Sequence, residues 1–373
     1  MRTPDTPTSA AGSVPGQAET DVGVLLDDVA EVYSHFVAFH SDFFNAERDL
    51  VTLWTAHTYV FEAAETTPYL LVTSPTSEAG KSRLIDVAQH LVRGAEVVND
   101  PSAASLYRLI DSECPSLFID EVDVLVTSKP LRAVLNAGYR IGGHVTRAER
   151  QPGGNYVARR YSVFCPKCFA GISGQRLPLA GATLSRCIVI PMRRRGPDEE
   201  IERFTHREAR VWSLPLKERL SAFGHAQTAT LQQLVVPHVP EGLSDRQAEA
   251  LEPLFTIADL AGRDWPKRAR EAALALTRTT DERPDEAVML LCDLKRVWEQ
   301  IETQREHTAV LAESVSSLDD REFPDQITAH ELSTWLRRFG IRPEGKPFRL
   351  HGKVGRGYRH ASFADAFQRY CGA

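Results

Sequence analysis

Between Tyr69 and Leu91 the chain reads YLLVTSPTSEAGKSRLIDVAQHL: a short apolar run suited to a buried strand, a loop closing on Gly-Lys-Ser, then apolar residues at helical spacing. A loop in this setting binds phosphate by aiming backbone N–H groups and a helix N-terminus at it, with a lysine for the β and γ groups and a hydroxyl for Mg2+. Lys81 and Ser82 supply those two side chains, and Pro75, Thr76, Ser77, Glu78, Ala79, Gly80 and Arg83 complete the expected cradle for ATP. Two positions depart from the usual G-x-x-x-x-G-K-[ST] pattern. Pro75 stands where the first glycine is expected; its φ of about −65° and missing donor are tolerable at the start of the loop. Glu78 puts a carboxylate into a loop that attracts anions, so its side chain is expected to point outward.

A second motif, PSLFIDEVD, lies downstream, with Asp120 falling 39 residues after Lys81 at the mouth of a buried strand. In that position Asp120 would hold Mg2+ through water and Glu121 would polarise the attacking water. The adjacent Asp-Glu pair, with another strand (AEVVND) between the two motifs, favours a hydrolase of the additional-strand P-loop class over a small-molecule kinase.

Around these motifs, short apolar runs (YLLVTS, AEVVND, SLFIDEVD, CFAGIS, RCIVIPM) alternate with helical patterns. Continuous apolar strands separated by helices imply an α/β fold with a parallel sheet covered on both faces, here over residues 67–195. Residues 21–66 read as two N-terminal helices, 196–280 as a helical lid, and 281–373 as a helix followed by a helix, a Gly-rich two-strand wing and a last helix, the order of a winged-helix domain. The first 20 residues are rich in Pro, Thr, Ser, Ala and Gly and are expected to be disordered.

Composition sets limits on function. Of 373 residues, 42% are hydrophobic and 25% charged, as in ordinary globular chains. No apolar run reaches the length of about 18 residues that a membrane span needs, and the N-terminus lacks the apolar centre of a signal peptide, so a cytoplasmic location without a membrane partner is expected. Of the six cysteines only Cys165 and Cys168 form a CxxC; with no second pair, buried thiols are favoured over zinc. The net charge is −6, yet residues 331–373 carry nine Lys or Arg against three acids. Such asymmetry is compatible with a nucleic-acid contact near the C-terminus. Val145–Arg150 and Tyr156–Phe164 are β-prone stretches joined by QPGGN, a hairpin carrying Arg147, Arg150, Arg159 and Arg160.

The chain resembles AAA+ ATPases. Ser-Arg-Cys in LPLAGATLSRCIVIP looks like the clamp-loader motif whose arginine reaches the neighbouring subunit's γ-phosphate, and MCM helicases have a related Ser-Arg-Phe there. More broadly, LWTAHTY, TPYLLVTSP, LFIDEVD, LNAGYRIGGHV, IADLAGRDWPKRAREAALAL and GYRHASFADAFQRY resemble a domain-of-unknown-function family of AAA+ proteins carried by phages, plasmids and integrative elements, similar to MCM-like helicases. The resemblance implies a DNA-dependent ATPase that assembles as a homo-oligomer, a hexamer, with a replication protein as a further partner. It implies Arg186 as the finger acting in trans, Ser173 as the polar sensor with Lys167 and Gln175 as alternatives, and Arg246 as the second sensor in the lid. It also implies that the arginine hairpin faces DNA in a central pore. A helicase loader or clamp-loader-like switch, or a defence or signalling ATPase needing no DNA, remains open on the residues alone.

Overall fold

The computed structural model describes residues 21–39, 44–76, 78–120, 122, 128–172, 179, 181–196, 199–234, 237–281, 286–301, 303–319, 321, 323 and 326–371. The expected disordered segment, residues 1–20, lies outside them. The chain divides into two compact units, Met1–Thr280 and Asp281–Ala373.

The first unit opens with α1 (Val22–Phe36), capped by Asp21, whose side chain accepts from the Val24 N–H, and α2 (Phe44–His57). The sheet region follows: β1 (Tyr69–Ser74), α3 (Lys81–Gln89), β2 (Ala95–Val98), α4 (Ala103–Glu113), β3 (Ser116–Ile119), α5 (Lys129–Ala137), the hairpin β4 (His144–Arg150) and β5 (Tyr156–Ser162), β6 (Lys167–Ile172), the short α6 (Gly181–Leu184) and β7 (Cys187–Pro191). Then come α7 (His206–Leu231), α8 (Asp245–Ala261) and α9 (Trp265–Asp281). A reciprocal box between Ser244 and Gln247 starts α8.

Five parallel strands form one sheet in the order β2-β3-β6-β1-β7. Because side chains alternate along a strand, each strand serves two cores. Leu70, Val72, Phe118, Ala170 and Ile188 point into the core built with α1, α2, α3 and α7–α9. Tyr69, Leu71, Leu117, Ile119 and Phe169 point the other way, against α4, α5 and the base of the hairpin. The fold is thus a three-layer α/β arrangement, and the helices read from sequence as a lid share the first core with the N-terminal helices.

The second unit has its own core. It comprises α10 (Glu286–Gln300), β8 (Arg305–His307), α11 (Thr308–Ser316), α12 (Ala329–Leu336), the antiparallel pair β9 (Phe348–Leu350) and β10 (Lys353–Gly355), β11 (Gly357–Arg359) paired with β8, and α13 (Ala364–Tyr370). Leu294, Trp298, Leu311, Leu332, Tyr358 and Phe363 meet at its centre. Among the described residues no helix of either unit is long and apolar enough to cross a membrane.

Candidate nucleotide site and nucleic-acid interface

β1 is buried along its whole length and ends at the loop, which turns directly into α3. Gly80 makes that turn with φ 85°, a left-handed conformation that glycine adopts without penalty. Among the described residues no side chain caps α3, so its first N–H groups face the loop. Lys81 folds back over the loop: its Nζ donates to Ser74 Oγ at 2.5 Å and to the Thr76 carbonyl at 3.3 Å. Burial lowers the Lys81 pKa, and the charge of Asp120 works against that shift, so the two residues feel one another.

Strand register explains how Asp120 comes near. Ile119 on β3 pairs with Phe169 on β6, and Ala170 pairs with Val72 on β1. Asp120, the next residue after Ile119, therefore lies about level with Val72, two residues short of the end of β1, and two strands away, roughly 10 Å across the sheet. β6 runs between them. An uncapped helix start, a lysine and a hydroxyl at Ser82, with the charge of Asp120 felt at Lys81, fit a nucleotide with Mg2+; this ion usually takes one or two carboxylates, substrate phosphates and water rather than a protein cage. No cluster of three or more His, Cys, Asp or Glu able to hold a metal occurs among the described residues.

The other cradle residues divide. Pro75, Thr76 and Glu78 are exposed, and Ala79 is buried under the turn. Glu78 takes φ 58° and turns outward, its carboxylate 3.5 Å from Arg194. The Arg83 guanidinium leaves the cradle and lies 5.3 Å from the centre of the Phe204 ring. Ser77, Glu121, Ser173 and Gln175 lie outside the described residues. Lys167, an alternative for the sensor, sits at the start of β6, the wrong end of the sheet. It is fully buried, with Nζ donating to the carbonyls of Gly138, Val163 and Cys165, and so holds the entry to β6 in place.

Arg186 precedes β7, whose first residue pairs with Tyr69 at the start of β1. It is therefore separated from the end of β1 by the strand's length, roughly 17 Å. Its guanidinium donates to Asn136 Oδ1 at 3.4 Å and lies 5.4 Å from the Tyr139 ring. Arg246 joins it at that edge, donating to Ser185 Oγ at 3.1 Å. Neither arginine is beside the phosphate loop of its own chain.

The hairpin forms as expected, with Gly153 and Gly154 at positive φ in its turn, but its four arginines split by face. Arg147 and Arg159 pair across the strands on the side of the buried Val145 and Tyr161. There Arg147 lies over Tyr107 of α4, and Arg159 lies 3.8 Å from Asp111 and 3.6 Å from Glu149. Arg150 and Arg160 project from the opposite, exposed face.

The sequence motifs did not mark the cationic surroundings of the loop or the contact at the far end of α3. Met192 N–H donates to the Thr73 carbonyl, which brings Arg193 and Arg194 beside the loop. His206 Nδ1 lies 3.2 Å from His90 Nε2, tying the start of α7 to the end of α3. Only the run MRRRGPDEE could have flagged the first pair.

Residues 191–370, from the end of β7 through the second unit, match the family described as protein of unknown function (DUF3631). A protein of Saccharopolyspora erythraea, described as an uncharacterized 28.9 kDa protein in the xis 5' region, is 34% identical over 186 residues, spanning 48% of this chain and 68% of that protein. The chain belongs to the family of that protein. The DUF3631 match covers α7–α9 and the second unit, and does not include the phosphate loop. Among solved structures, the apo A form of the NrS-1 C-terminal region is similar at 12% identity and TM-score 0.40, over 91% of this chain and 75% of that one. A full-length MCM homologue from Methanopyrus kandleri is similar at 16% identity and TM-score 0.42, over 71% of this chain and 62% of that one.

Proposed function

We propose that the chain is an ATP hydrolase of the AAA+ class, acting as a homo-oligomer, a hexamer, that couples ATP hydrolysis to DNA binding or translocation, helicase-like, in the replication of a phage or mobile element. The observation that carries this reading is the meeting, at the C-terminal ends of the strands, of Lys81, the uncapped start of α3 and Asp120, with β6 interposed between β1 and β3 as the additional-strand class requires.

In this reading the first N–H groups of α3 and Lys81 bind the β and γ phosphates. Ser82 and Asp120 hold Mg2+, which neutralises phosphate charge when bound. Glu121 polarises the attacking water and Ser173 senses the γ-phosphate, as assigned from sequence. Arg186 and Arg246, grouped at the far end of the strands, serve the site of the adjacent copy, because roughly 17 Å separates that end from the chain's own loop. The hairpin is the DNA-facing element. The second unit is read as a winged helix, with β9–β10 as the wing exposing Arg349 and Lys353 to duplex DNA.

The deciding experiment is the ATPase rate of the assembled protein alone, with single-stranded DNA and with forked DNA. Stimulation by DNA is expected. A rate that ignores every nucleic acid would leave a switch or signalling ATPase.

A further inference from the structure

The hairpin's two faces differ in charge balance. On the inner face, Arg147, Glu149 and Arg159 are engaged with Tyr107, Arg108 and Asp111 of α4, and the Tyr161 hydroxyl also donates to Glu149. Every acid of the hairpin is on this side. The outer face is formed by His144, Thr146, Ala148 and Arg150 paired with Ser162, Arg160, Ala158 and Tyr156, all exposed. It bears no carboxylate. Tyr156, directly across from Arg150, is 70% exposed, an unusual position for an aromatic ring. Ala148 and Ala158, opposite each other, leave the middle of the face flat.

We infer that this outer face binds single-stranded nucleic acid, with Tyr156 stacking on an unpaired base beside Arg150, and Arg150 and Arg160 neutralising phosphates at the two ends of the face. The inference rests on the nucleic-acid reading of the hairpin and deepens it by naming the strand state and the stacking residue. Tyr156 and Arg160 are four residues apart on one strand, about 13 Å, and Arg150 pairs with Tyr156, so the two phosphate contacts are separated by about the same length, room for a base-bearing nucleotide. A duplex would satisfy the arginines but not the tyrosine, since its base faces are already stacked. Aromatic platforms flanked by cations are how sequence-tolerant single-strand binders gain affinity.

The test is fluorescence anisotropy with the full chain, labelled oligo-dT, oligo-U and a duplex of equal length, over a range of salt. Wild type should prefer the single strands, and the two oligomers distinguish DNA from RNA. Tyr156→Ala should weaken single-strand binding roughly 5- to 150-fold, the worth of one stacked base, without changing the salt slope. Tyr156→Phe should retain affinity. Arg150→Ala with Arg160→Ala should instead lower the slope by about 1.4, and Arg147→Ala should leave it unchanged. Thermal unfolding confirms that each variant is folded. Wild-type binding that survives Tyr156→Ala intact, or a preference for duplex, overturns the inference alone. No binding of any nucleic acid by wild type overturns the reading beneath it as well. A smaller particle for Tyr156→Ala, measured without nucleic acid, would assign the face to contacts between copies and overturn it too.

Discussion

The phosphate loop's side chains have separable tasks, and single substitutions should separate them. Lys81→Ala should weaken ATP binding roughly 10- to 150-fold, since a hydrogen bond to a charged group is worth about 1.5–3 kcal/mol. Glu121→Gln should bind ATP as tightly as wild type while hydrolysis falls; titration calorimetry and phosphate release distinguish the two, and normal turnover by Glu121→Gln would remove it as the base. Glu78 and Arg194 make a subtler pair. A carboxylate in an anion-binding loop repels phosphate unless a cation offsets it, and Arg194 is the cation in place. Both side chains are largely exposed, so the effect is small, within about 1 kcal/mol. Arg194→Ala should cost a few-fold in ATP affinity, and adding Glu78→Gln should return most of it. An Arg194→Ala loss that persists in the double variant would mean that Arg194 touches the nucleotide itself.

At the scale of elements, much was readable because strand, loop and helix are neighbours in sequence: the buried YLLVTS, the glycine turn and the lysine at the start of α3 are one continuous passage. The hairpin's existence was equally legible from QPGGN. Its division into faces needed the register, which puts Arg147 and Arg159 with Val145 and Tyr161; four arginines that look alike in sequence turn out to be two and two. Arg193 and Arg194 could not be associated with the loop, because the packing of β7 beside β1 brings them there across more than a hundred residues. The end of α2 carries a pH dependence of its own. His57 is buried, 3.0 Å from Thr67 Oγ1, and burial pushes its pKa down to about 3. The unfolded chain, with an ordinary histidine pKa of about 6.5, binds the proton first. Stability from this group is therefore complete above pH ~6.5 and is lost as pH falls toward 3, by about 1.4 kcal/mol per unit. Urea midpoints between about pH 6.5 and 5, above the main carboxylate range, should show that decline. His57→Gln should flatten it; an unchanged slope would place the titrating group elsewhere.

For the whole molecule, the decisive feature is that the two halves of the proposed site lie at opposite ends of the strands of one sheet. Arg186→Ala should leave ATP binding intact and lower turnover by on the order of 10³-fold, the usual worth of an arginine finger. Mixed with Lys81→Ala chains, it should regain activity, because wild-type loops then meet wild-type arginines at some junctions. Absence of recovery at every mixing ratio, with assembly unchanged, would make Arg186 a structural residue bound to Asn136. The same placement has a consequence for counting. Under the proposed in-trans arrangement a solitary chain would hold no complete site, an open row of chains would hold one fewer than its members, and only a closed ring would give every chain a finished one. Activity per chain would then report on topology: dilution would extinguish it without any inhibitor, and sealing the ring would bring the last site into use.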